Sequence, residues 1–375
     1  MTADDEHGDA GENAGDNAGE NAGGAATGST GRAATGPGRR GRGVLKVLGI
    51  AVAGAVVLGV AAGGWVYWKL NDNITSVDIN SALGDNRPEK PAITPSPGAE
   101  AASAPLPSQA MNILVLGSDS RSGAENQRLG GGDTSGARSD TAMVFHIDAG
   151  GESGTVVSIP RDTLVTRPSC PLPDGGETEE QHGVMFNTAY SVGGPVCAVK
   201  TVESFTGVRM DHYLEIDFAG FAALIDAVGG VTVTVDQDIE DEQSHLTLEA
   251  GTHLLDGEQA LGLARTRYSL PGGSDLARIE LQQRLVKALL TQIADTSLLT
   301  DPAKLYDVAT TVTGSLTTDT GLDSLGELVG LGESLRALSP DAVETLTLPV
   351  VRAPSDPNRV VADEPEAGEL WESLR

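Results

Sequence analysis

The feature that most constrains this chain is the uncharged apolar run from Val47 to Trp68, VLGIAVAGAVVLGVAAGGWVYW. Roughly 20 such residues in a helix match the hydrocarbon core of a bilayer. A single span must satisfy its backbone hydrogen bonds internally, so it must be helical. Arg39, Arg40, Arg42 and Lys46 precede the run, and Trp65, Tyr67 and Trp68 close it. Basic residues mark the cytoplasmic side and aromatic rings the interface. The expectation is one transmembrane helix over 44–69, with the N-terminus cytoplasmic and the rest extracytoplasmic. A cleaved signal peptide is the alternative; the run is longer than a usual signal core, and no small-x-small site leads into a clear mature start.

The composition on either side sets the remaining boundaries. Residues 1–43 are rich in Gly, Ala, Asn and acids, with the near-repeat GENAGDNAGENAGG, and hold nothing that could form a core. They read as a disordered cytoplasmic tail. Residues 70–110 are polar and Pro-rich and read as a semi-extended linker. A folded domain is expected over 111–351 and a loose tail over 352–375. The net charge of −28 argues against nucleic acid as a partner. The two cysteines, Cys170 and Cys197, flank a Pro/Gly-rich loop in the part placed outside. An oxidising compartment favours a disulfide between them over two free buried thiols.

Within the domain, strand and helix patterns alternate. Strands are predicted at Asn112–Leu116, Thr141–Ile147 and Thr155–Ile159, the last two joined as a hairpin through DAGGESG. FNTAYSVGG and PVCAVKTVESFTG predict helices, the second closing at Gly207. DHYLEIDF and VTVTV predict strands, with the apolar helix FAGFAALIDAVGG between them. A helix opens at DGEQALGLAR, and a long one is capped by Ser274 and runs to about Ile293. Two more helices and the strand ETLTLPVV follow. The fold class is α/β: helical layers around a central mixed sheet, an α–β–α sandwich preceded by the transmembrane helix.

Charged residues recur at the strand ends. Asp119 follows the first strand, Arg138 and Asp140 precede the second, and Arg161 and Asp162 follow the third. If those strands are neighbours, the charges share one rim, where α/β sheets tend to bind ligands. Asp119 and Asp140, from different strands, suit a hard divalent cation: Mg²⁺, with Mn²⁺ as the alternative. For either acid alone, a structural ion pair is the simpler reading. Arg265 and Arg267 stand two apart, so they face one side only if the helix stops near Ala264. Arg278 and Gln282 share a face at i, i+4. Each arginine taken singly could be a surface salt bridge of ~0–1 kcal/mol. Taken together, five guanidiniums and a metal suit a pyrophosphate.

Other chemistries lack their signatures. The histidines show no zinc-ligand spacing. Ser118, Ser120 and Ser158 sit in no G-x-S-x-G elbow. LGGGD lacks the Gly-Lys-Ser/Thr of a nucleotide P-loop.

In this order, NILVLGSDSR, RSDTAMV, VVSIPRD, FNTAYSVGG, YLEIDFAGFAALIDAVGGV, LEAGTHLLDGEQALGLARTR and SDLARIELQQ resemble the LytR–CpsA–Psr family from about Met111 to Ile293. The resemblance implies an extracytoplasmic, membrane-anchored phosphotransferase. Such enzymes move a glycopolymer from a polyprenyl pyrophosphate carrier to peptidoglycan through a phosphodiester, typically at a muramic acid 6-hydroxyl. It implies an apolar pocket for the prenyl chain and a charged mouth for the pyrophosphate. By motif, Asp119 and Asp140 fall on the metal acids. Arg138, Arg161, Arg265, Arg267 and Arg278 fall on the phosphate-binding arginines, and Gln282 and Asp275 on supporting positions. A base for the acceptor hydroxyl falls to Asp119 or Asp162. The helix over 218–228, with Ile279, Leu285 and Leu289, is a candidate pocket lining, although its spacing is equally that of ordinary core.

Two positions depart from the family pattern. The usual Arg-x-x-Arg-Gln reads Arg278-Ile-Glu-Leu281-Gln282, and Met185 stands where Lys is common. Two alternatives therefore accompany the transferase: a non-catalytic paralogue that binds lipid-linked polymer, and a polyprenyl pyrophosphate hydrolase.

Overall fold

The computed structural model describes residues 59–90, 109–118, 124–129, 139–172, 175–266, 275–294 and 301–375. Residues 59–72 are helical (α1) and lead into a short strand, β1 (Thr75–Val77), and a turn of helix, α2 (Ile79–Leu83). Then come β2 (Met111–Ser118), α3 (Ala124–Arg128), β3 (Ser139–Ile147) and β4 (Gly154–Ser158). The hairpin β5 (Leu164–Arg167) and β6 (Gln181–Met185) precedes α4 (Thr188–Thr206), β7 (His212–Asp217) and α5 (Phe218–Ala227). Four short strands follow: β8 (Val231–Val235), β9 (Ile239–Asp241), β10 (Leu246–Leu248) and β11 (Gly251–Leu255). After them come α6 (Gly257–Arg265), α7 (Asp275–Ala294), α8 (Pro302–Ser315), β12 (Leu316–Asp319) and α9 (Leu325–Ala337). The chain ends with β13 (Val343–Thr347), β14 (Val350–Ala353), β15 (Asp356–Ala362) and α10 (Glu366–Glu372).

The central sheet has seven strands in the order β1-β12-β7-β2-β3-β4-β13 and is mixed. β2 runs parallel to β7 and antiparallel to β3, and β3 is antiparallel to β4. The period-2 alternation of a strand sends its side chains to two faces, and both faces of β2 are covered. Leu114 and Leu116 pack with Ala198, Val199 and Val202 of α4 and with Trp371 of α10. Ile113 packs with Leu290 of α7 and Leu328 and Leu331 of α9. These are the three layers expected from the sequence. A third core joins α5, α6 and α7 to the ribbons β8–β11 and β9–β10.

Local signals explain several boundaries. The β3–β4 hairpin closes through the Ser153 carbonyl, which accepts from the Asp148 N–H at 3.0 Å. The two helices expected around Gly193 and Gly194 are both present, separated by the non-helical backbone of those glycines, and are labelled together as α4. α4 stops at Gly207, whose φ of 65° is a left-handed conformation that side chains avoid. α6 opens with a capping box between Asp256 and Gln259.

Two expected boundaries are corrected. Residues 70–110 are not linker throughout: β1 pairs with β12 at the sheet edge, and Leu70 and Ile79 are buried. Arg87 reaches Glu203 at 2.6 Å with both side chains buried, and also donates to the Met210 carbonyl at 2.7 Å. The tail from 352 is not loose: β14 and β15 form a hairpin, and Ala367, Trp371 and Leu374 of the C-terminal segment are core residues. A Pro- and acid-rich composition hid three well-spaced apolar anchors. Among the described residues, no helix is long and apolar enough to cross a membrane. The upstream part of the Val47–Trp68 run, through residue 58, lies outside them.

Candidate functional site

A cavity of about 860 Å³ lies between the β2/β3/β7 face of the sheet and five helices, α5 to α9. Its floor is Val115, Gly117, Met143, Leu214 and Ile216. α7 contributes Arg278, Gln282, Leu285, Val286, Leu289 and Ile293. Those positions follow the helical period and form one stripe. α8 contributes Leu305, Val308, Ala309 and Val312 by the same rule, and α5 contributes Phe218, Phe221, Leu224 and Val228. α9 closes the wall with Leu325, Leu328, Val329 and Leu335. The lining is overwhelmingly apolar, as in sites that enclose a ligand's hydrocarbon part.

Polar groups gather where the sheet ends. There Ser118 of β2 pairs with Ser139 of β3 on one side and Asp217 of β7 on the other. Arg265, the last residue of α6, holds its guanidinium 4.9 Å from the Phe218 ring centroid, a cation–π contact. It also donates to the Leu129 carbonyl. Gln282 donates to the Ala264 carbonyl at 3.0 Å. Arg278, one turn earlier on α7, is buried and lines the same cavity. α6 does end at Arg265, with Thr266 already extended. This is one residue later than expected from the Arg265/Arg267 spacing.

The rim holds one of the acidic candidates, Asp140, in backbone terms. The β2–β3 register steps from Gly117↔Thr141 to Ser118↔Ser139, which leaves Asp140 as a bulged, unopposed residue. Bulges re-aim side chains beside active sites. Asp119 is the next residue after Ser118 in the chain. Asp119, Arg138 and Arg267 lie outside the described residues, as do the side chains of Asp140 and Asp275.

Arg161 and Asp162 follow β4 at the same end of the sheet. The turn is held by the Pro160 carbonyl, which accepts from the Thr163 N–H at 3.0 Å and the Thr163 hydroxyl at 2.7 Å. Neither residue lines the cavity. Asp162 faces two guanidiniums instead, Arg161 at 3.9 Å and Arg359 of β15 at 3.5 Å. Asp162 therefore braces Arg161 against the C-terminal hairpin. Cys170 and Cys197 are disulfide-bonded, with Cα atoms 5.2 Å apart, and tie the β5–β6 region to α4.

Of the expected lining residues, Leu285, Leu289 and the 218–228 helix border the cavity. Ile279 is buried but does not. Sequence reading missed α8 and α9 as walls. Their i, i+3, i+4, i+7 stripes are visible in the sequence, but such stripes do not distinguish a cavity from a core. It also missed Asn126, which is 4% exposed. Its amide donates to Asp217 at 2.8 Å and its oxygen accepts from the Ala219 N–H at 2.9 Å. That pins the start of α5 at the rim. Leu281 turns into the third core beside Leu285 and Val233.

A mixed α/β sheet flanked by helices carries an apolar cavity with Arg265 and Arg278 in its lining. The chain belongs to the LytR_cpsA_psr family, whose profile matches residues 66–375. It is 36% identical over 270 residues to the probable cell wall biosynthesis protein LcpB of Corynebacterium glutamicum, covering 70% of this chain and 61% of that protein. It is 34% identical over 218 residues to a polyisoprenyl-teichoic acid–peptidoglycan teichoic acid transferase TagU of Halalkalibacterium halodurans, covering 58% of this chain and 63% of that one. The chain thus spans less than two thirds of the length of either relative. Among solved structures, a LytR-Csp2A-Psr enzyme from Actinomyces oris superposes with a TM-score of 0.54 at 25% identity, covering 70% of this chain and 89% of that one.

Proposed function

We propose that the protein is a membrane-anchored phosphotransferase. It takes a glycopolymer from a polyprenyl pyrophosphate carrier and joins it to peptidoglycan through a phosphodiester, outside the cell membrane. The observation that carries this reading is a cavity with mostly apolar helical walls whose lining includes Arg265, Arg278 and Gln282. That polarity matches a lipid with a long hydrocarbon tail and a phosphate head. The relatives' wall-polymer assignments agree with it.

The residues divide the work. α5, α7, α8 and α9 bind the prenyl chain and exclude water. Arg265 and Arg278, with Arg138, Arg161 and Arg267, hold the pyrophosphate through forked hydrogen bonds and stabilise charge on the leaving lipid phosphate. Gln282 positions Arg265 through the Ala264 carbonyl. Asp119 and Asp140 would hold Mg²⁺, which as a Lewis acid would neutralise pyrophosphate charge. Asp162 neighbours Arg161 at 3.9 Å, and the role of base falls to Asp119 or Asp162. Phosphoryl transfer depends mainly on such positioning and charge stabilisation.

The test is phosphate-bond cleavage by the full chain in proteoliposomes, with a polyprenyl pyrophosphate and a peptidoglycan acceptor. Metal-dependent transfer that falls at least about 100-fold in Arg278→Ala and Asp119→Ala is expected. Lipid retention with no turnover would establish the binding paralogue. Phosphate release without acceptor labelling would establish the hydrolase.

A further inference from the structure

We propose that the open wall of the cavity between α8 and α9 rests on the bilayer surface, so that the lipid's hydrocarbon chain enters sideways from the membrane. The inference rests on the lipid-binding reading above and adds the docking surface.

Three observations converge. First, Leu305 of α8 and Val329 of α9 both line the apolar cavity, yet they are 45% and 52% exposed. Residues with both properties mark where the cavity wall is open; Glu333 and Arg336 of α9 share them, so charged groups stand beside the apolar ones at that edge. Exposed apolar side chains flanking such an opening signal an interaction surface. Second, α1 is joined to the start of this wall. Leu70 at its end is buried, Ile74 packs against the core that contains Leu328 and Leu331, and Asn71 accepts from the Leu325 N–H at 3.0 Å. Leu325 is the first residue of α9, so Val329 stands ~6 Å along the helix from the attachment point. Third, Trp65 and Trp68 of α1 are exposed, and Lys69 lies 5.4 Å from the Trp65 ring centroid. Trp and Lys in that arrangement belong at a headgroup boundary. Trp68 precedes Asn71 by ~4.5 Å of helix rise, and the headgroup layer is about 5–7 Å deep on each side.

The occupant is a phospholipid bilayer because the chain leading into this surface is the apolar Val47–Trp68 run.

The full chain is reconstituted in phosphatidylglycerol/phosphatidylcholine vesicles that carry a shallow nitroxide-labelled lipid. A fluorophore is placed singly at Leu305→Cys, at Val329→Cys, and at Ser204→Cys on α4, across the sheet. Both native cysteines are bonded to each other and do not compete for label. Quenching at 305 and 329 at least about threefold stronger than at 204 is expected. Equal quenching at all three, or excess quenching at only one of the two seam positions, would overturn the proposal. Retention of a polyprenyl phosphate, read by native mass spectrometry, separates the two ideas. Seam quenching without retention faults the cavity reading and leaves the docking surface standing. Retention without seam quenching does the reverse.

Discussion

Gln282 of α7 donates its amide N–H to the main-chain oxygen of Ala264 in α6, 3.0 Å away and buried. This one bond joins the helix that bears Arg278 to the helix end that bears Arg265. Replacing Gln282 with Ala leaves the carbonyl without that donor, at a cost of about 1–3 kcal/mol. For a folded region of this size, that corresponds to a Tm loss of about 1–2 °C per kcal/mol. The expected signature is a fall in turnover larger than the stability loss accounts for, because two arginines lose their spacing. Calorimetry beside steady-state kinetics checks it. A kcat equal to wild type would remove Gln282 from the positioning role.

Arg87 and Glu203 form a buried ion pair, with side chains 2% and 3% exposed. Breaking one partner of such a pair costs about 3–5 kcal/mol, mostly through the stranded charge. Arg87→Ala should lower stability by that amount and release residues 75–90 to protease. A value near zero, measured by urea unfolding, would return this segment to the status of linker.

Leu281 stands where the family carries arginine, yet here it is 6% exposed and packed with Leu285, Val233 and Leu246. Leu281→Ala should cost about 2–5 kcal/mol. Leu281→Arg should be worse, since it buries a guanidinium among aliphatics. A folded Leu281→Arg protein with raised turnover would show instead that the position opens to the mouth.

Gly257 at the start of α6 lies against the α5 backbone: a Cβ there would meet the Ala222 carbonyl oxygen at 2.1 Å. Gly257→Ala must push apart two helices that both wall the cavity. A destabilisation of about 1–3 kcal/mol is expected, together with weaker retention of a polyprenyl phosphate, measured by native mass spectrometry.

Asp319 is buried, which by itself raises its pKa. Hydrogen bonds from His212 at 3.1 Å and from the Tyr213 and Gly321 N–H groups outweigh this and hold it below the ordinary carboxylate value. A depressed carboxylate contributes stability that is fully present above its unfolded pKa of about 4 and is lost as pH falls through the folded value. Asp319→Asn should therefore flatten the acid limb of the stability–pH curve, followed by circular dichroism between about pH 5 and 2. An unchanged acid limb would remove Asp319 from that role.

Local chemistry in the sequence determined much of this protein. Alternating apolar residues gave β2, β3 and β4, turn residues gave the hairpin between the last two, and Gly207 and the Asp256–Gln259 box set helix ends. Those signals act over a few residues, so they are readable without neighbours. Asp140 and Arg161 could be placed at strand ends for the same reason. Only the tertiary structure decided what lay inside. The stripes on α7, α8 and α9 are apolar whether they meet a partner or enclose a void, and only helix placement made them walls of a cavity. The docking of residues 75–90 depends on Arg87 meeting Glu203 across 116 positions. The order of the C-terminal segment depends on Trp371 reaching the core of α4 and β2. Both contacts join parts of the chain whose own composition reads as loose, because burial is a property of the partner surface and not of the segment itself.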